Sequence, residues 1–270
     1  MSPHRPLPPP PRPGPRPLPL HLLILLTILS GSLVGLPLWR RGLLPWKAPF
    51  DQGAAALAAQ LAAAGSEAGP AFVTALLAEA AGRGERFLAG IEAYRRHPYH
   101  RALTDPPTVW QLGTTRLLDY RPAGGGGLPL LVIPSLVNRA YILDLTPRRS
   151  LMRYCAERGL APFLVDWGAP GGEETGFTLT DYLARRLEPM LDQVTVLCGR
   201  RPALVGYCMG GLLALALALR RPDGVAAQVL LATPFDFAAG AAPGETRLAT
   251  ALAPLLGQHR PLSVDELQTL

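Results

Sequence analysis

Cysteine is scarce in this chain of 270 residues: Cys155, Cys198 and Cys208 are the whole complement. Their odd number and irregular spacing exclude a disulfide framework, and no Cys or His pair has the spacing of a zinc site, so no metal is expected. Acidic residues are also in deficit, 20 against 26 Lys and Arg, which leaves a net charge of +6. No nucleic-acid motif accompanies that surplus, part of which sits in the first residues, so no nucleic-acid partner is expected. Charge is missing altogether from Leu18 to Trp39. A run of this length suffices to cross a bilayer, and membrane or interfacial insertion is the leading expectation, with burial against the rest of the chain as the alternative. A small-x-small cleavage site before a polar start is lacking, which counts against a removable leader. Arg12 and Arg16 precede the run while Arg40, Arg41 and Lys47 follow it, so the flanks assign no orientation.

Proline and glycine, by contrast, are abundant, at 30 and 28 residues, beside a hydrophobic content of 49% that is ample for one sizeable core. Residues 1–17 form a Pro/Arg-rich tail expected to be extended or disordered, and 18–39 an apolar helix. Residues 40–104 read as a helical region with one pattern over Asp51–Ala64 and a second over Pro70–Tyr94, the latter interrupted at Gly82 and Gly84. His97 and His100 close this region without an acidic or thiol partner nearby in sequence and are read as a solvated helix end.

From 105 to 237 the chain alternates between apolar runs and helical patterns. Strands are expected near 115–120, 129–134, 162–166, 202–206 and 227–232, and helices near 148–158, 178–198 and 209–221. Gly124–Gly127 reads as a hairpin-like connection between the first two strands, and the later strand-helix-strand steps imply a mostly parallel sheet flanked by helices, an α/β class. Residues 238–270 read as the start of a cap region.

Within that block, Pro202-Ala203-Leu204-Val205 runs into Gly206-Tyr207-Cys208-Met209-Gly210-Gly211 and then into an apolar helix. A buried strand, a Gly-x-nucleophile-x-Gly turn and a helix resemble the nucleophile elbow of α/β-hydrolases, here with cysteine at the tip. The turn demands a strained backbone at Cys208 and no Cβ at Gly206 or Gly210, and it aims the Met209 amide at any oxyanion formed beside the sulfur. In that fold the second oxyanion donor comes from the loop after the preceding strand, which makes the amides of Leu136 and Val137 candidates. Ser135, without elbow glycines, is read as a turn residue.

A second stretch makes the resemblance more specific. Asn138, Tyr141, Ile142, Leu143, Asp144, Leu145 and Pro147 follow the Pro134 turn, and Trp167 and Pro170 come later. This resembles the polyhydroxyalkanoate synthase family, whose members carry Asn-Lys-x-Tyr-Ile-Leu-Asp-Leu-x-Pro, then Trp-x-x-Pro, then the box Gly-x-Cys-x-Gly-Gly; Arg139 stands where the family has lysine. The likeness covers roughly residues 105–237. It implies an α/β-hydrolase-like core lacking its last strands, preceded by the apolar helix and two further helices, with Asn138 and Asp144 organising the loop.

The family's aspartate and Gly-His find no counterparts after Cys208. His259 is the only histidine there, in a turn between cap helices, and Asp236 resembles a position leading into the cap. A truncated chain is therefore expected. For an intact relative the resemblance implies an acyltransferase that moves 3-hydroxyacyl groups from a CoA thioester to a growing polyester through the cysteine. CoA thioester enters as substrate and no cofactor is implied. A depolymerase or esterase of the same fold is the alternative, and a noncatalytic granule- or membrane-associated relative a third reading. The implied setting is cytoplasmic, at a polyester-granule surface or the inner membrane, with a homodimer or accessory subunit as further partners.

Overall fold

The structure, a computed structural model, describes residues 12, 14–237, 239, 263, 265 and 266. Most of the 1–17 tail and of the 238–270 segment, including His259, lies outside the described residues. The chain divides into two compact units, Met1–Tyr99 with Leu262–Leu270, and His100–Pro261.

Among the described residues the first unit holds three long helices, α1 (Leu18–Arg40), α2 (Phe50–Ala63) and α3 (Ala68–Arg96). Trp39 packs against Phe72 with ring centroids 5.8 Å apart, joining α1 to α3. Gly82 and Gly84 do not interrupt α3, which runs through them for 29 residues. Each helical glycine costs only about 1 kcal/mol against alanine, too little to break a helix of this length.

The second unit holds a six-stranded sheet of β1 (Thr108–Leu112), β2 (Thr115–Asp119), β3 (Pro129–Ile133), β6 (Ala161–Asp166), β7 (Ala203–Tyr207) and β8 (Ala227–Leu231). A short hairpin of β4 (Asp144–Thr146) and β5 (Arg149–Ser150) stands apart. Helices α4 (Leu151–Glu157), α5 (Leu179–Tyr182), α6 (Glu188–Cys198) and α7 (Met209–Arg220) complete the unit. The strand order is β1-β2-β6-β3-β7-β8, with β6, β3, β7 and β8 parallel and β1 and β2 antiparallel to their neighbours.

This order corrects the expected hairpin at Gly124–Gly127. β2 and β3 are not partners, because β6 lies between them. The four glycines all have positive φ and carry the chain past the start of β6, where Gly127 lies so close to Gly159 that a Cβ would strike its carbonyl carbon at 2.9 Å. The real hairpin joins β1, a strand the sequence did not announce, to β2 through Gly113 (φ +59°) and Thr114.

The expected helix over 178–198 is present but not continuous. Between α5 and α6 the segment Leu183–Leu187 widens into a π turn, and the amide of Glu188 reaches Leu183 O. Pro189, in the first turn of α6, has no N–H to give to a carbonyl in the preceding turn, and the backbone loosens there.

The sheet is buried on both faces at its centre, as β3 shows with every residue buried. One layer gathers Leu131, Ile133, Phe163 and Leu204 under α6 and α7; the other gathers Leu118, Leu130, Val132 and Leu164 under α4. At the edge, β8 leaves Val229 and Leu230 more than two-fifths exposed.

Candidate active site

β7 ends at Tyr207 and α7 begins at Met209, so Cys208 alone makes the turn. It does so with φ +54° and ψ −130°, a left-handed conformation that L residues rarely adopt and that costs on the order of 1–3 kcal/mol. Its amide donates to Leu231 O at 2.9 Å, tying the turn to the end of β8, and its carbonyl accepts from Gly211 N at 2.9 Å. With both backbone groups bonded, the conformation is held from two sides.

The three glycines of the box are needed for distinct reasons. A Cβ on Gly206 would lie 2.9 Å from Ala214 Cβ and from Gly210 O. One on Gly210 would run into the carbonyls of Ile133 and Pro134, 2.7 Å from the Pro134 carbonyl carbon. One on Gly211 would meet Thr233, 2.6 Å from Cγ2 and 2.7 Å from Cβ. Gly210 therefore lets the start of α7 lie directly against the loop after β3.

That loop holds the other candidate donors. Ser135 is buried and its Oγ accepts from Val137 N at 3.1 Å, a local turn bond. Trp167 Nε1 donates to Pro134 O at 3.0 Å and clamps the loop from the β6 side. Val137 thus has its amide occupied, whereas no described group accepts from the Leu136 amide. Met209, as the first residue of α7, also has an amide with no partner within the helix. No side-chain hydrogen bond to Cys208 Sγ occurs among the described residues, and His259 lies outside them.

Asn138 and Asp144 part company in the structure. Asn138 is exposed and makes no hydrogen bond among the described residues. Asp144 is fully buried and forms a hub: Oδ2 accepts from Arg101 Nη2 at 2.8 Å, Tyr120 Oη at 2.9 Å and Arg153 Nη2 at 3.1 Å, and Oδ1 from Arg153 Nε at 2.9 Å. Burial alone would push this carboxyl up, but the hydrogen bonds from Arg153, Ser150 and Tyr120 outweigh it and hold it below the ordinary carboxylate range. Burial and the bond to Asp144 push the Tyr120 hydroxyl up. The hub fixes the short 3-10 turn Ala140–Leu143, which leads away from the candidate oxyanion loop, onto α4 and β2.

Sequence reasoning missed Thr233, whose buried hydroxyl has no hydrogen-bond partner among the described residues and whose side chain backs the elbow through Gly211. Only the neighbouring position of β8 brings it there. The guanidinium partners of Asp144 were missed too, since Arg101 and Arg153 lie 43 and 9 residues away.

Comparison with known proteins agrees with this geometry. Residues 129–251 match a family model described as alpha/beta hydrolase fold, and residues 100–155 match one described as Poly-beta-hydroxybutyrate polymerase (PhaC) N-terminus. The chain is 36% identical over 125 residues to a Poly(3-hydroxyalkanoate) polymerase subunit PhaC of Haloferax mediterranei, covering 45% of this chain and 25% of that one. It is 33% identical over 162 residues to the subunit of the same name from Synechocystis sp., covering 57% and 42% respectively. A third, from Cupriavidus necator, is 35% identical over 144 residues, covering 51% and 24%. The chain thus aligns with less than half the length of each of these relatives. A strained cysteine elbow packed on the loop after β3, in a sheet of this order, gives the chain the α/β-hydrolase fold, and the matches on either side of it make the chain similar to the polyhydroxyalkanoate synthase family.

Proposed function

We propose that this chain carries the acyl-transfer chemistry of a polyhydroxyalkanoate synthase, with a 3-hydroxyacyl-CoA as donor and a growing polyester as acceptor. One observation carries the reading: Cys208 stands in the left-handed elbow conformation, with the Met209 amide at the start of α7 and the unengaged Leu136 amide on the loop packed against Gly210. In the proposed first step the Cys208 thiol releases its proton and the sulfur attacks the thioester carbonyl. The carbonyl oxygen takes the negative charge and accepts from the Met209 and Leu136 amides, an arrangement in which each donor is worth roughly 10²–10³ in rate. The intermediate collapses, its bond to the CoA sulfur breaks, and the departing thiolate takes up a proton to become CoA.

Cysteine suits this step because donor and acyl-enzyme are both thioesters, so the transfer is close to isoenergetic. A hydroxyl of the polyester then attacks the acyl-enzyme, gives up its proton to a base, and forms an ester as the Cys208 sulfur leaves. None of the described residues is assigned as that base. Neither a metal nor an organic cofactor enters the proposed steps.

The proposed setting is cytoplasmic, at a polyester-granule surface or the inner membrane, with α1 as the contacting segment; a homodimer or accessory subunit completes the proposed partners. α1 supports the reading through its 23 residues, its mean hydropathy of 2.1 and the absence of buried residues in its apolar window.

Incubation with 3-hydroxybutyryl-CoA tests the chemistry. The expected result is release of CoA without an equal amount of free hydroxy acid, abolished in Cys208→Ala. Equal release of free 3-hydroxybutyrate makes the protein a hydrolase, and CoA release undiminished in the alanine variant overturns Cys208 as nucleophile.

A further inference from the structure

The first unit buries very little of itself: Leu36 is the sole buried residue in its three helices. Along α1, Leu23, Leu26, Ile28 and Val34 are each at least 60% exposed. Between α1, α2 and α3 lies a groove of about 750 Å³, within the size range of ligand pockets. Its walls include Ile28, Leu36, Trp39, Trp46, Phe50 and Phe72. Besides the indole N–H groups of Trp39 and Trp46, the hydroxyls of Thr27 and Ser32 are the polar side-chain groups on the wall, and Thr27 Oγ1 is already spent on Leu23 O at 2.8 Å. Such a wall offers a ligand dispersion and burial, with almost no hydrogen bonding.

Three glycines line this groove, and they differ from those of the elbow. A Cβ on Gly31 or Gly53 would meet nothing within 4 Å, and one on Gly35 only Leu44 Cδ2 at 4.0 Å. Here glycine is not demanded by any close approach of the backbone; it leaves width.

Charge is set at one end. The wall residue Trp39 is followed by Arg40 and Arg41, and the wall residue Trp46 by Lys47. Arg40 donates to Gly69 O at 3.3 Å, whereas Arg41 and Lys47 are exposed and pair with no carboxylate among the described residues. Tryptophan beside unpaired cations, at the end of a charge-free apolar helix, is the arrangement found where hydrocarbon gives way to anionic headgroups. A peptide partner would cover one side of α1 only, while this helix is apolar all round, which favours lipid as the occupant.

We propose that the groove between α1, α2 and α3 is a slot for one hydrocarbon chain of an anionic lipid, with Arg41 and Lys47 receiving the headgroup at its rim. The slot is independent of the acyl-transfer chemistry and deepens the reading of α1 as a membrane-contacting segment.

The test uses the full chain with phosphatidylglycerol vesicles whose acyl chains carry bromine, read by quenching of tryptophan fluorescence. A Trp39→Phe, Trp46→Phe variant supplies the background from Trp110 and Trp167. Gly31→Leu and Gly53→Leu fill the slot where nothing stands in the way, so thermal melting should be unchanged or improved. Excluding even a few methylenes at about 0.8 kcal/mol each, they should weaken the quenching interaction by about tenfold or more while vesicle flotation through α1 persists. Arg41→Glu with Lys47→Glu should remove the preference for phosphatidylglycerol over phosphatidylcholine. If the wild type floats but both leucine variants are quenched as it is, the slot is wrong and the membrane-contact reading stands. Failure of the wild type to float, or saturable binding confined to hydroxyalkanoate oligomers, overturns both.

Discussion

Gly210 and Gly53 are the same residue type put to opposite uses. At Gly210 a Cβ would collide with the backbone of Ile133 and Pro134, so the missing methyl is what lets α7 touch the candidate oxyanion loop. At Gly53 a Cβ meets open space, and the missing methyl merely widens a groove. The first unit is loosely packed helices with apolar surface to spare; the second is a sheet covered on both faces at its centre, in which single atoms decide the geometry of one turn. A glycine's presence in a sequence therefore says little until the distance to its neighbours is known.

The contrast breaks hardest at the elbow. Gly210→Ala pits a methyl against two backbone carbonyls that cannot rotate away, so a loss of about 3 kcal/mol or more and abolition of acyl-enzyme formation are expected, by denaturant melts and a CoA-release assay. An alanine variant with unaltered stability and rate would mean that α7 and the loop after β3 are not in contact.

Next in size comes Asp144→Asn, which leaves Arg101 and Arg153 facing a neutral group in a buried hub. A loss of about 3 kcal/mol is expected. The folded carboxyl sits below its ordinary range, so its stabilisation is complete above the unfolded value of about 4 and is lost as pH falls from there through the folded value. The gap between wild type and Asp144→Asn should accordingly narrow on acidification. A gap independent of pH would assign the effect to packing.

Gly211→Ala sharpens the comparison because its obstacle is one threonine side chain, Thr233, on the segment after β8, and not two backbone carbonyls. A smaller loss, about 1–2 kcal/mol, is expected, with partial recovery on adding Thr233→Ala. Strict additivity of the two substitutions would show that they do not touch. Smallest of all, Gly53→Ala should raise stability by about 0.5–1 kcal/mol through helix propensity alone. A destabilised Gly53→Ala would mean that the groove is closed in solution.

Much of the second unit was legible before its structure. Apolar runs bounded by Gly and Pro located β3, β6 and β7, since a strand buried on both faces has no other way to be written, and shorter apolar runs located β2 and β8. Strand order was not legible: the same runs are compatible with β2 beside β3, and only long-range pairing inserts β6 between them. β1 escaped notice because Thr108–Leu112 is a mixed polar and apolar edge segment with no buried residue. The π turn had a local cause in Pro189, which weakens one turn without ending the helix. At the site, the elbow's box is contiguous and so was readable, whereas the Asp144 hub is assembled from the residue after β2, α4 and the segment before β1. Charge partners separated this way leave no periodic trace.

The central claim is that Cys208 accepts the acyl group from a CoA thioester, and peptide mapping of the protein after a brief exposure to 3-hydroxybutyryl-CoA tests it most directly. The account predicts one hydroxybutyryl adduct per chain, on the peptide containing Cys208 and matched by one CoA released. Cys155 and Cys198 should stay unmodified, their thiols pushed up by burial. An adduct on either of those cysteines, or CoA released by a folded chain that carries no adduct at Cys208, would contradict it.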